Sequence, residues 1–197
     1  MSERLFALID DYIGALPELR QEAEKEIWRA FGVEGVVFVL DMSGFTSTVR
    51  KDGLLAFLAR VRRMQKVVGA IIERHLGQVV KAEADNLYAL FERPDNAIRA
   101  ALELTYETPV EISSSIGGVG IGLSQGRLLF VPREDFFGHP VNVASTLAED
   151  EAEAGEVLVD ESLVGETWHT FGVEAVPFEC TKSGQCIRAF RLRRLAS

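Results

Sequence analysis

Residues 81–91, KAEADNLYALF, decide how this chain is folded. The right half, Leu87 to Phe91, is an ordinary apolar strand, whereas the left half sets Lys81, Glu83 and Asp85 among small residues. With QVVKAE before the turn and NLYALF after it, the stretch predicts two strands joined by a tight turn. Charges gathered at such a turn leave two readings open: a solvated loop, or a hairpin tip that meets a ligand.

Working outward, GVVFVLD (35–41) is β-branched and apolar and predicts a buried strand that ends in Asp41. Between it and the hairpin, DGLLAFLARVRRMQKVVGAIIERH carries Leu54, Leu58, Val61, Val68 and Ile72 on one helical stripe, with Arg62, Arg63 and Lys66 off it and Gly77 closing it. After the hairpin, PDNAIRAALELTYE predicts a second helix with Pro94 near its start. SSSIGGVGIGL and GRLLFV then read as a pair of strands, PVNVASTLAEDEAEA as a helix, and GEVLVD, VEAVPFECT and CIRAFRLRR as further strands. Upstream, Leu5, Ile9, Tyr12, Ile13 and Leu16 recur at helical spacing, and Pro17 suits the first turn of a second helix carrying Leu19, Ala23, Ile27, Trp28 and Phe31, with Gly32 and Gly35 punctuating its end. The expected class is α+β: a ferredoxin-like βαββαβ core with helices on one face, appended strands and helices, and an N-terminal helical region over 1–34 preceding the main domain, 35–197.

Composition narrows the function classes. At 197 residues with 47% hydrophobic content, the chain suits a soluble domain with a real core. Its net charge of −9 argues against a broad nucleic-acid or anionic-membrane footprint, so neither partner is expected. No apolar run approaches a membrane span and the N-terminus lacks a signal-peptide core, which makes the cytoplasm the expected location. Cys180 and Cys186 match no zinc or redox spacing and read as packing thiols that could face each other across a hairpin.

Asp41 at the mouth of a buried strand is held by a rigid base and exposed at its tip. A β-α-β return can bring Asp85 beside it. Two carboxylates at adjacent strand ends make a hard-oxygen site of the kind that holds Mg²⁺ or Mn²⁺ against phosphates.

FVLDMSGFT, VVKAEADNLYALF and DFFGHPVNVAS, in this order, resemble the catalytic domain of class III adenylate/guanylate cyclases from about residue 35 onward. The resemblance implies that Asp41 and Asp85, with the backbone of Met42, bind two divalent ions, Mg²⁺ or Mn²⁺. It implies that Lys81 and Asp135 read the base and favour ATP, the carboxylate accepting from the adenine amine and the lysine donating to a ring nitrogen. Asn142 would orient the nucleotide at its ribose, and Lys182 would bind the terminal phosphates. The implied reaction is attack of the ribose 3′-oxygen on the α-phosphorus of ATP, giving cyclic AMP and pyrophosphate. Since family sites draw metal ligands from one subunit and base-reading groups from the other, a two-fold homodimer would build two composite sites from this one sequence.

Two positions depart from that pattern. Thr146 stands where an arginine normally stabilises the reacting phosphate, a loss worth on the order of 10²–10³ in rate for one such donor. Arg127, Arg133 or Lys51 would have to supply the missing charge. Ala84 stands where glycine usually precedes the metal aspartate, so the turn is expected to be strained unless Asn86 takes the left-handed position. These departures leave a second expectation standing, a cyclase-like metal–nucleotide binding module with little turnover and a sensing or regulatory role. His75, His139 and His169 carry no pattern of their own; His139 falls in the loop between Asp135 and Asn142.

Overall fold

The structure is a computed structural model that describes residues 2–42, 53–108, 118–163 and 168–195, without the side chains of 168 and 169. Helices α1 (Glu3–Gly14) and α2 (Arg20–Phe31) precede strand β1 (Gly32–Met42). Helix α3 (Leu54–Arg74), β2 (Gln78–Glu83), β3 (Asn86–Phe91), α4 (Pro94–Leu102) and β4 (Val119–Val131) complete the expected core order. There follow β5 (Asp135–Phe137), α5 (His139–Thr146), β6 (Val157–Asp160), β7 (Val173–Lys182) and β8 (Gln185–Arg194). Both α4 and α5 run on into a π turn, Glu103–Glu107 and Leu147–Glu151 respectively.

The strands form one sheet in the order β2-β3-β1-β4-β6-β8-β7, with β5 on the edge of β4. Its first four strands are antiparallel neighbours in ferredoxin order; only β4 and β6 pair parallel. Successive residues of β1 serve opposite faces. Val36, Phe38, Leu40 and Met42 join a core with Phe57, Met64 and Val68 of α3 and Ala97, Ile98 and Ala101 of α4. Val37 and Val39 pack instead with Ala144 of α5 and Ala148 of its π turn. The two core helices α3 and α4 thus share one face as expected, while the appended α5 covers the second face, and Asp41, in phase with Val37 and Val39, lies on that side.

Three local expectations are corrected. The pair of strands read in 113–131 is a single strand over its described part, with no turn at Ser124-Gln125-Gly126. Those residues are there for neighbours: the buried Ser124 hydroxyl donates to Asp160 at 2.7 Å, and a Cβ on Gly126 would meet Pro140 at 2.9 Å. Gly77 does not supply the left-handed residue that ends α3. Leu76 does, at φ 61°, while the amides of Leu76 and Gly77 bond Glu73 and Ile72 in a Schellman arrangement. Gly77 is required because a Cβ there would lie 2.4 Å from the Phe91 ring. Pro17 lies in the turn before α2, whose first helical residue is Arg20.

The helical pair docks on the sheet through Leu5 and Ile27 against Val131. Among the described residues no helix is long and apolar enough to cross a membrane.

Candidate active site

Strand register assembles the acidic half of the site. Asp41, the penultimate residue of β1, sits opposite Asn86, the first residue of β3, so the neighbouring Asp85 is carried to the same sheet end. The β2–β3 turn is Ala84-Asp85, with Glu83 paired to Asn86. Ala84 itself is left-handed, at φ 50°, and Asn86 is an extended strand residue, so the strain expected in this turn falls on the alanine. Holding alanine there costs roughly 1 kcal/mol relative to glycine.

Burial, the Asp85 carboxylate and, least, Glu149 push the Asp41 carboxyl up to about 6. Glu149 belongs to the π turn after α5 and accepts a 3.0 Å hydrogen bond from the Tyr88 hydroxyl. The Asn86 amide nitrogen reaches that same hydroxyl at 3.5 Å, while its carbonyl oxygen Oδ1 is buried without a hydrogen-bond partner. Glu149 and Tyr88 are site residues that the sequence reading missed. The available signal was the acidic run AEDE closing an otherwise apolar helix.

The predicted base-reading pair is brought together. Lys81 Nζ of β2 lies 3.1 Å from Asp135 Oδ1 of β5 and 3.1 Å from Glu83 Oε1, and 4.8 Å from the centroid of the Tyr88 ring. Its side chain and that of Asp135 are only 22% and 19% exposed. Burial alone would lower the Lys81 pKa; hydrogen bonds to Glu83 and Asp135 outweigh it and raise it. Asp135 also accepts from the Phe136 amide at 2.8 Å, which fixes its carboxylate. Glu83 has a concrete task here, as a second anchor for the lysine.

A third group of predicted residues lines one cleft of about 380 Å³: Asn142 and Thr146 of α5 and Lys182 of β7, with His139, Glu149 and Gln185 also on its wall. Helix α5 can lie this close to the sheet because Gly122 of β4 faces it; a Cβ there would be 2.2 Å from the Ala144 carbonyl oxygen. Thr146 is buried, at 8% exposure. Lys182 reaches the cleft on the β7–β8 hairpin, whose turn residues Ser183 and Gly184 both have positive φ, 51° and 79°, as a type I′ turn requires. Its Nζ donates to Asp150 Oδ2 at 2.6 Å.

Neither described substitute for the expected arginine lines this cleft. Arg127 stacks on Trp28 of α2 at 4.1 Å, Arg133 sits between β4 and β5 at φ 63°, and Lys51 lies outside the described residues. A larger hollow, about 500 Å³, opens on α2 around Trp28 and Arg127 and holds none of the predicted site residues. The two cysteines do not face each other: Cys180 pairs with Ile187 and Thr181 with Cys186, which puts the thiols on opposite faces of the hairpin.

Asp41, Asp85 and the buried, unpartnered Asn86 oxygen are hard donors at one sheet end, a chemistry that suits a divalent cation completing its shell with phosphate and water. Among the described residues no three His, Cys, Asp or Glu side chains converge to hold a metal by themselves. The residues thus fit a substrate-completed cation site rather than a closed structural one.

No family model matches the chain and no curated protein matches it in sequence. Solved structures do match. The adenylyl cyclase CyaB from P. aeruginosa superposes at TM-score 0.69 with 16% identity, covering 84% of this chain and 97% of that one. The guanylate cyclase domain of RhGC from Catenaria anguillulae, in complex with GTP, gives 0.67 at 18% identity over 84% and 99%. An adenylate/guanylate cyclase/hydrolase from Silicibacter pomeroyi gives 0.68 at 20% identity over 84% and 98%. The fold is that of nucleotidyl cyclase catalytic domains.

Proposed function

We propose that this chain is a nucleotidyl cyclase that works as a homodimer and converts ATP to cyclic AMP and pyrophosphate. The observation that carries the reading is the convergence of Asp41 and Asp85 at one sheet end, close enough that the second carboxylate raises the pKa of the first. Divalent ions, Mg²⁺ or Mn²⁺, held by Asp41, Asp85 and the Met42 backbone would supply charge neutralisation at the phosphates.

The remaining roles belong to the chain's own groups. Lys81, held by Asp135 and Glu83, presents an ammonium to an adenine ring nitrogen while Asp135 accepts from the exocyclic amine. Guanine would set a carbonyl against that carboxylate, so the pair favours ATP. Asn142 orients the ribose so that its 3′-oxygen approaches the α-phosphorus in line with the departing pyrophosphate. As the new ester bond forms, the bond to the bridging oxygen breaks and the hydroxyl proton leaves to solvent. Thr146 offers a neutral hydrogen bond and Lys182 a cation to the departing phosphates. Within one copy the acids and the cleft lie on different elements, and a two-fold partner would bring one copy's acids to the other's cleft.

A second reading, a nucleotide-binding regulator with little turnover, is favoured by one observation. Among the described residues lining the cleft, Lys182 is the one lysine or arginine, and it is already paired to Asp150. Purified protein given ATP and Mn²⁺, with cyclic AMP and pyrophosphate quantified beside Asp41→Ala, separates the two. The cyclase reading expects both products in equal amounts and their loss in the variant. ATP binding without product selects the regulator, and product surviving in Asp41→Ala contradicts the assigned metal site.

A further inference from the structure

The contact between Lys182 and Asp150 has a consequence for what the cleft can bind. Lys182 ends β7 and Asp150 lies on the π turn that follows α5, so the pair ties together two elements remote in sequence. The separation of 2.6 Å is that of a charge-assisted hydrogen bond, and the bond to Asp150 is the chief reason the Lys182 pKa is raised. Within this π turn Leu147 and Ala148 are buried, while Glu149 and Asp150 line the cleft. The cleft wall therefore carries two carboxylates for one lysine.

We propose that Asp150 occupies the position of a substrate phosphate on Lys182, and so sets the affinity of this cleft for a polyphosphate. The proposal rests on reading the cleft as the phosphate end of a nucleotide site. An incoming phosphate competes with a carboxylate that is tethered and already bonded, and it also meets that carboxylate's negative charge. Both effects weaken binding. With asparagine in place of Asp150 the repulsion is removed and the competition is weakened, because the amide oxygen can still accept from the lysine but carries no charge. The lysine is half-exposed, as is its partner, so the effect is modest and screened by salt.

Full-length wild type, Asp150→Asn, Lys182→Ala and the double variant, each titrated calorimetrically with magnesium tripolyphosphate, test this. Tripolyphosphate has no base or ribose, so the result does not depend on base reading or on turnover. Asp150→Asn should bind about fivefold more tightly at low ionic strength, and the gain should shrink at high salt. The gain should vanish in the Lys182→Ala background, and Glu151→Gln, which removes the same charge next door, should give less. Unchanged or weaker binding by Asp150→Asn overturns the proposal. So does a gain that persists without Lys182, or one matched by Glu151→Gln, since the effect would then be general charge. Absence of tripolyphosphate binding in all the proteins removes the subsite and the proposal with it. Cyclic AMP formation with no Asp150 effect refutes the proposal and leaves the cyclase reading standing, whereas the Asp150 effect without turnover refutes only the cyclase reading.

Discussion

At the residue scale, Asp41, the proposed metal ligand, sits where its charge costs the fold stability. Its carboxyl titrates near 6 in the folded protein against 3.8 for a free aspartate, raised by burial first and by Asp85 next. A raised folded pKa means that the contribution to stability is intact below about 4 and is lost as pH rises through about 6. Metal-free protein should therefore become less stable across that window. Asp41→Asn should remove the slope and, after allowance for partial solvent screening, stabilise the protein at pH 7 by about 1 kcal/mol. Urea denaturation with and without Mn²⁺ checks both halves of this account: the ion should raise the midpoint of wild type and leave that of the variant unmoved. An Asn variant less stable than wild type at pH 7 would show that Asp41 is a structural group. That Asp41 and Asp85 meet at one sheet end was legible because each follows or precedes an apolar strand. The cleft positions of Glu149 and Asp150 were not, because an acidic run at a helix end ordinarily reads as a solvated face, whereas here both line a cleft.

At the element scale, close approaches place the chemistry. Helix α5 carries Asn142 and Thr146, and its distance from the sheet is set by Gly122, where an added Cβ would fall 2.2 Å from a backbone oxygen. Backbone does not yield as a flexible side chain does. Gly122→Ala should cost about 2–3 kcal/mol by overpacking and displace α5, lowering both the denaturation midpoint and nucleotide affinity. A variant with unchanged stability would mean that the helix is free to ride outward. The βαββαβ order and most elements could be read from periodicity, since the β2–β3 hairpin follows its strand pattern and α3 buries Val61, Val68 and Ile72 of its expected stripe; Leu54 and Leu58 of that stripe are exposed instead, the core side being taken by Phe57 and Met64. Strand β4 could not. Ser124 and Gly126 are turn-forming residue types, yet one is fixed by Asp160 and the other makes room for Pro140, and both partners are remote in sequence. Leu76 shows the converse: a residue poorly suited to positive φ holds it because the glycine beside it is needed against Phe91.

At the scale of the whole molecule, the sheet has two covered faces, the core helices on one and the appended α5 on the other. The unbroken apolar run of β1 signals burial on both sides but not which element covers the second, because α5 arrives from late in the chain. That second layer carries the proposed site, with the acids at one sheet end and the cleft along α5. We propose that these halves act across two copies of the chain. Mixing Asp41→Ala with Lys81→Glu protein, each inactive alone, measures this directly through cyclic AMP formation. Random pairing leaves one intact site in each mixed dimer, so the mixture should recover about a quarter of wild-type activity. A mixture as inactive as its parts, beside an active wild type that exchanges subunits, would contradict the composite site.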